Sequence, residues 1–302
     1  MITNFKELLD KVRSGKLSKI SVAAAQDSDV LSSVSMAYKE GIISGAILVG
    51  DKEEIEKIAS EKGLDLSPFV IEDIKDKEDA CKKAVSLVRE GKADLPMKGF
   101  VDTPVILKAL LDKENGLRTG KLICHVGVLE VAGFDRLFIL SDSAMAIAPD
   151  LQQKADIIRS AAAVGHALDI ELPKVAVLCA VEKVNPKMPA TVDADELAKM
   201  NERGEIEGCI VAGPLALDNA VSEEAAKHKG ILSPVAGKAD VLIVPDIEAG
   251  NILNKGMEYF AKCEKAGVIM GAAKPLILTS RASSDKSKMH SIALAALVSQ
   301  EA

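Results

Sequence analysis

The chain has 302 residues, 48% of them hydrophobic, and a formal net charge of -7 at pH 7. That is enough apolar material for a large core, and enough length for two domains or one large α/β unit, which excludes a disordered chain. The acidic balance excludes a nucleic-acid surface as the main business, because phosphate backbones are held by dense Lys/Arg stripes.

The opening segment, MITNFKELLDKVRSGK, has the spacing of an amphipathic helix and carries no apolar signal core. No window of the chain approaches the roughly 18 uninterrupted apolar residues of a membrane span. A cytoplasmic protein without membrane contact is expected. From residue 19 a rhythm sets in: KISVAAAQ (19–26) precedes SDVLSSVSMAYKEG, and GAILVGD (45–51) precedes EEIEKIASEKG. Later apolar runs are KVAVLCAV (174–181), EGCIVAG (207–213), DVLIVPD (240–246), VIMGA (268–272) and PLILTS (275–280). Fully apolar strands alternating with helical segments predict a parallel sheet covered on both faces, hence an α/β protein. Residues 110–136, where Gly and charge interrupt the rhythm, read as a switch region beside a domain boundary.

Polar residues gather where these strands end, at Gln26-Asp27, Gly50-Asp51, Lys98-Gly99, Gly213-Pro214, Pro245-Asp246 and Thr279-Ser280-Arg281. In open α/β sheets ligands sit outside the carboxyl ends of strands, so a site is sought there. Several chemistries find no support. No GxGxxG follows a strand, and the nearest approach to a phosphate loop, GLRTGKL (116–122), is one residue short and has Leu122 where magnesium needs a hydroxyl. Neither GxSxG nor HExxH occurs. Five cysteines without a CxxC indicate neither a disulfide frame nor a zinc site, and four scattered histidines offer no metal centre.

Four groups remain. Residues 279–284 hang between a strand end and a helix with apolar positions Met289, Ile292, Ala293, Ala296 and Leu297. Ser283 or Ser284 suits the N-cap, Asp285 falls in the first turn, and free N–H groups there favour an anion, to which Arg281 adds a forked donor. Plain capping, with Arg281 paired to a surface carboxylate, competes with that reading. Lys98 at a strand end, Lys108 on the next helix and Arg118 in a Gly-bracketed loop offer positive charge, although isolated lysines and arginines are more often solvated. Asn185-Pro186-Lys187 lies in a proline-stiffened loop. Asp218, Asp246 and Asn251 sit at strand-to-helix junctions, where a lone Asp is commonly a cap.

Taken in order, AILVGD, MKG, GLRTGK, FDRLFILSD (134–142), VNPKMPAT, EIEGCIVAGPLALDNAVSEEAAKHKG, VAGKADVLIVPDIEAGNILNK, LTSRASS and SIALAAL span nearly the whole chain. They resemble the phosphate acetyl/butyryltransferase family, and the NPKMP loop resembles its butyryl branch. The resemblance implies two α/β/α domains with an interdomain cleft, as in isocitrate and isopropylmalate dehydrogenases. Residues 1–135 with 271–302 would form the first and 136–270 the second. It implies reversible transfer of a short acyl group, butyryl or similar, between CoA and inorganic phosphate by direct attack in a ternary complex. Alternatives are acetyl-CoA preference, an acyltransferase of lipid synthesis, or a noncatalytic CoA- or anion-binding protein of the same fold.

On this resemblance Ser280 contacts the thiol or the tetrahedral oxyanion, where a donor contributes on the order of 3 kcal/mol. Arg281 neutralises phosphate. Lys98, Lys108, Arg118, Asn185, Lys187, Asp218, Asp246 and Asn251 bind substrate. Where the acetyl branch has a basic Asp, the matching position here is Ser287, and Asp285 two residues nearer is the candidate base. No covalent acyl-enzyme is needed, so Cys124 and Cys179 need not be nucleophiles. Acyl-CoA and phosphate are substrates, no further cofactor or metal is implied, and a homo-oligomer is expected.

Overall fold

The computed structural model describes residues 1–279 and 284–301. The chain forms two compact units, Phe5–Lys121 with Ala266–Ala302 and Met1–Asn4 with Leu122–Lys265.

The first unit begins with α1 (Phe5–Ser14), β1 (Ser18–Ala23), α2 (Ser28–Lys39), β2 (Ile43–Gly50), α3 (Lys52–Lys62), β3 (Phe69–Asp73), α4 (Lys77–Arg89), β4 (Leu95–Lys98) and α5 (Thr103–Leu110). Strands β1, β2 and β4 are buried almost throughout, which is why they read as unbroken apolar runs. Three of the helices are capped by an aspartate side chain. Asp27, Asp51 and Asp76 each accept hydrogen bonds from first-turn N–H groups of α2, α3 and α4.

The second unit contains β5 (Cys124–Glu130), β6 (Leu137–Ser141), α6 (Leu151–Ala167), β7 (Lys174–Leu178), α7 (Pro189–Glu202), β8 (Ile210–Leu215), α8 (Leu217–Val221), α9 (Glu223–His228), β9 (Val241–Ile243) and α10 (Ile247–Tyr259). Its strands run in the order β5-β6-β9-β7-β8. The chain then passes through β10 (Glu264–Met270) and completes the first unit with β11 (Leu276–Ile277) and α11 (Asp285–Glu301). There the order is β3-β2-β1-β4-β11-β10.

Most neighbours are parallel, as the apolar runs predict, but two pairs correct an all-parallel expectation. Strand β5 runs antiparallel to β6, and β10 antiparallel to β11. The connections explain it: residues 131–136 and 271–275 are too few for the crossover of a dozen or more residues that a parallel pair requires. The stretch 110–136 thus holds the passage between units at Lys121–Leu122 and then a strand that pairs with its successor.

Helix α11 closes the first unit. Its predicted apolar positions are buried, and so are Leu294, Ala295 and Val298, so the helix is apolar on nearly every side, as an interior helix is. His290 stacks on Phe5 at 4.2 Å between ring centroids. Ser291 Oγ accepts from the Gly267 N–H at 3.0 Å, and Gln300 Nε2 donates to the Lys16 carbonyl at 2.8 Å.

Candidate active site

In the first unit the carboxyl ends of β1, β4 and β11 emerge side by side. Ala23 is in register with Lys98, and Met97 with Ile277. Beyond the strands the Gly99 and Phe100 N–H groups donate to the carbonyls of Ala23 (2.8 Å) and Ala24 (2.7 Å). This approach needs a glycine, because a Cβ at position 99 would lie 2.3 Å from the Ala24 oxygen and 2.5 Å from that of Ala23. Gly99 therefore fixes the height at which Lys98 leaves the sheet.

Lys98 opens onto a pocket whose wall includes Asp27, Asp29, Phe100, Thr279 and Lys288. Lys98 is 8% exposed, and its Nζ lies 3.5 Å from the Gly99 carbonyl oxygen. Lys288, near the start of α11, is 2% exposed, with Nζ 3.4 Å from Asp29 Oδ2. The Asp27 carboxylate is turned onto its own helix, Oδ1 accepting from the N–H groups of Asp29 (3.1 Å) and Val30 (3.0 Å). Beneath this region burial pushes the Cys81 thiol up to about 11, against the Lys98 charge, which pulls it down. Two ammonium groups withdrawn from bulk water and opening on one cavity suit an anion with several oxygens.

Thr279 is the last described residue before Ser280 and Arg281, which lie outside the described residues together with Ala282 and Ser283. The chain resumes at Ser284. Its Oγ accepts from the Ser287 N–H at 3.2 Å, and its carbonyl accepts from the Lys288 N–H at 3.0 Å, so Ser284 caps α11. Asp285 is the first residue of that helix and is half-buried.

The second unit carries another polar cluster at strand ends. Asp246 caps α10 by accepting from the Ala249 N–H at 2.9 Å, and Asn251 Nδ2 donates to the Ser143 carbonyl at 3.3 Å. Buried Asp142 gathers four backbone N–H groups, from Ala144 (2.7 Å), Met145 (2.9 Å), Ala146 (3.3 Å) and His125 (2.8 Å). Ser143 Oγ lies 3.3 Å from His125 Nδ1. Burial holds that imidazole's pKa below its ordinary value; the Asp142 carboxylate opposes the shift and Lys265 adds to it. Gly250 lets α10 come this close, since a Cβ there would meet the Asp142 carbonyl oxygen at 2.6 Å.

The other expected residues are not among the described residues that line this cavity. Lys108 is largely exposed and lies 3.7 Å from Glu78 on α4. Arg118 is exposed and forms an isolated bridge with Ala272. Asn185 and Lys187 share one turn, the Lys187 N–H donating to Asn185 Oδ1 at 3.0 Å, while Thr191 Oγ1 ties the loop to α7. Asp218 is exposed and 3.4 Å from Lys229. Among the described residues the structure thus places Lys98 and Thr279 on one cavity wall, and Asp246 and Asn251 near the start of one helix. It adds Lys288, Asp29, Asp142 and His125, for which sequence reasoning made no case. One signal for Lys288 was available: it lies one helical turn before Ile292, a charge on an otherwise apolar face.

Residues 75–296 match the family model described as Phosphate acetyl/butaryl transferase. The chain is 51% identical, over 99% of its own length and 99% of the other's, to the phosphate butyryltransferase of Clostridium acetobutylicum. It is 48% identical to the phosphate acetyltransferase of Thermotoga maritima, over 97% of this chain and 99% of that one. Among solved structures it is similar to a branched-chain phosphotransacylase from Enterococcus faecalis V583, with a TM-score of 0.83 and 33% identity, covering 94% of this chain and 99% of that one.

Proposed function

The chain belongs to the phosphate acetyl/butyryltransferase family, and from that membership we propose that it moves a butyryl or similar short acyl group between CoA and inorganic phosphate. It is an acyltransferase. The observation that carries the reading onto this fold is the cavity bearing Lys98 and Lys288, whose wall includes Thr279, the residue before Ser280-Arg281 in the sequence.

In the forward direction a phosphate oxygen attacks the thioester carbonyl, and the new C–O bond leaves an oxyanion on the acyl carbon. Ser280 donates to that oxyanion, and Arg281 with Lys98 balances the phosphate. Collapse breaks the C–S bond and expels CoA thiolate, which takes a proton from water or a nearby acid. In reverse the thiol attacks acyl phosphate, Asp285 accepts its proton, and collapse breaks the C–O bond and expels inorganic phosphate. A thiol with a pKa of about 8.5 is already a few per cent ionised at neutral pH, so the demand on that base is modest. Holding both substrates together supplies much of the remaining acceleration, roughly 7–11 kcal/mol in favourable cases. Asp246, Asn251, Asp218, Asn185, Lys187, Lys108 and Arg118 stand as substrate contacts in this scheme. CoA and phosphate are substrates, and the reaction asks for no further cofactor. A homo-oligomer working in the cytoplasm fits the family.

The test is CoA release from acetyl-, butyryl- and long-chain acyl-CoA with phosphate. Butyryl-CoA should give the highest kcat/KM. The 48% identity to an acetyltransferase makes acetyl preference the second reading, and fastest turnover of acetyl-CoA would establish it. No acyl phosphate from any donor, with CoA still bound, would mean a binding protein.

A further inference from the structure

We propose that the loop between β7 and α7 is a prepared seat for the phosphates of the CoA nucleotide, with Lys187 as the contact and Thr191 as the positioning residue beneath it. That this nucleotide belongs to a substrate rests on the phosphotransacylase reading; the shape of the seat rests on the fold. Residues 183–187 are all exposed beyond the carboxyl end of β7, where open α/β sheets place their ligands.

Holding an exposed loop in one shape costs backbone entropy that little burial offsets. This loop is nonetheless tied down from below. Thr191, fully buried in the first turn of α7, accepts from the Asn185 N–H at 2.9 Å and turns its hydroxyl toward the carbonyls of Met188 (2.8 Å) and Asn185 (3.1 Å). The Lys187 N–H donates to Asn185 Oδ1 at 3.0 Å, and Pro186 and Pro189 fix φ on either side. Two residues beyond Thr191, Asp193 accepts from Lys154 Nζ at 2.6 Å, and Lys154 is 6% exposed on α6. Withdrawing that ammonium group from water is costly, and what the pair secures is the start of α7 against α6.

The surface held up by this base is basic. Lys183 and Lys187 are exposed on it, and among the described residues neither forms an ion pair. The carboxylate of the same loop, Glu182, faces Lys229 at 3.6 Å, so its charge is directed elsewhere. Exposed ammonium groups suit phosphates that keep part of their water, as those of a nucleotide do, rather than the phosphate that must sit beside the reacting carbonyl. A loop ordered in advance spares the bound state the cost of ordering it.

The test is steady-state kinetics of the full chain with phosphate and either butyryl-CoA or butyryl-pantetheine, which lacks the nucleotide. Lys187→Gln and Thr191→Val should each raise KM for butyryl-CoA about fivefold, the upper worth of an exposed ion pair, with KM for butyryl-pantetheine within about twofold of wild type. Thr191→Ser, which keeps the hydroxyl, should restore the wild-type value. The double variant should be no worse than Lys187→Gln alone, because Thr191 acts through the loop that carries Lys187. Unchanged KM for butyryl-CoA in folded variants overturns the proposal, and so does an equal rise with both donors.

A binding measurement covers a Thr191 variant that fails to fold. In calorimetry the wild type should hold CoA about fivefold or more tighter than pantetheine, and Lys187→Gln, a change at an exposed position, should cut that advantage about fivefold. An unchanged advantage overturns the seat. If the wild type shows this binding but forms no acyl phosphate, the functional reading fails and the seat stands. If acyl phosphate forms and Lys187→Gln keeps the wild-type KM for butyryl-CoA, the seat fails and the reading stands.

Discussion

Gly99 and Ala24 approach so closely that a side chain at position 99 would place its Cβ 2.3 Å from the Ala24 carbonyl oxygen. Gly99→Ala should therefore push the end of β4 off β1. A loss of about 2–3 kcal/mol is expected in denaturant unfolding, in the range of a forced backbone shift, together with weakened phosphate saturation because Lys98 moves with the strand. Gly256, within α10, meets nothing within 4 Å of its Cβ. Gly256→Ala should gain about 0.5–1 kcal/mol, the ordinary helix-propensity difference, and an equal loss at both positions would contradict the close-approach account.

Ser280→Ala should lower kcat about 100-fold or more with little change in either KM, as removal of a donor to a developing oxyanion does. Arg281→Ala should act chiefly on phosphate, and unchanged phosphate KM and kcat would defeat its role as the anion partner.

Two groups should impose opposite slopes of stability on pH. Burial lowers the His125 pKa from 6.5, against Asp142, so below 6.5 the unfolded chain binds more protons than the fold. Its contribution is present above pH 6.5 and is lost as pH falls toward the folded value. Burial raises the Asp240 pKa from 3.8, against the Lys174 N–H that its carboxylate accepts at 2.8 Å. Above 3.8 the fold binds the extra proton, so stability falls as pH rises through that window. Melting curves against pH should lose the first slope in His125→Gln and the second in Asp240→Asn, whose amide oxygen keeps the bond.

Burial pushes the thiols of Cys124 to about 12 and of Cys179 to about 11. Neither provides a useful thiolate at neutral pH. Iodoacetamide should leave activity intact in the folded protein, and Cys124→Ala and Cys179→Ala should retain turnover. Stoichiometric inactivation by alkylation of either thiol would reopen a covalent route.

The strands KISVA and AILVG were legible because strands buried on both faces are unbroken apolar runs. Strand β3, FVIED, is half-exposed and carries two acids, so its pattern blends into the charged helices around it. Strand direction was not written in β5 or β6 but in the short segment joining them. The aspartates at strand ends illustrate a second limit. Asp27, Asp51 and Asp246 all close a helix, because capping and ligand binding call on the same residue at the same junction. Lys288 was hidden for a different reason: its partner Asp29 is far away in sequence, and only the return of α11 beside α2 joins them.

That return also sets an order of events during synthesis. The ribosome releases α1 through α5 long before β11 and α11 exist, so the unit that starts first finishes last, while Leu122–Lys265 is complete earlier. Until the final segment emerges, the surfaces that will receive α11, with Phe5 among them, have no helix to cover them. A nascent chain paused after Lys265 should be cut by protease within its first 121 residues and resist cutting beyond them. For such a chain the last helix acts as a latch, and the cell holds an unlatched half for as long as translation takes to reach it.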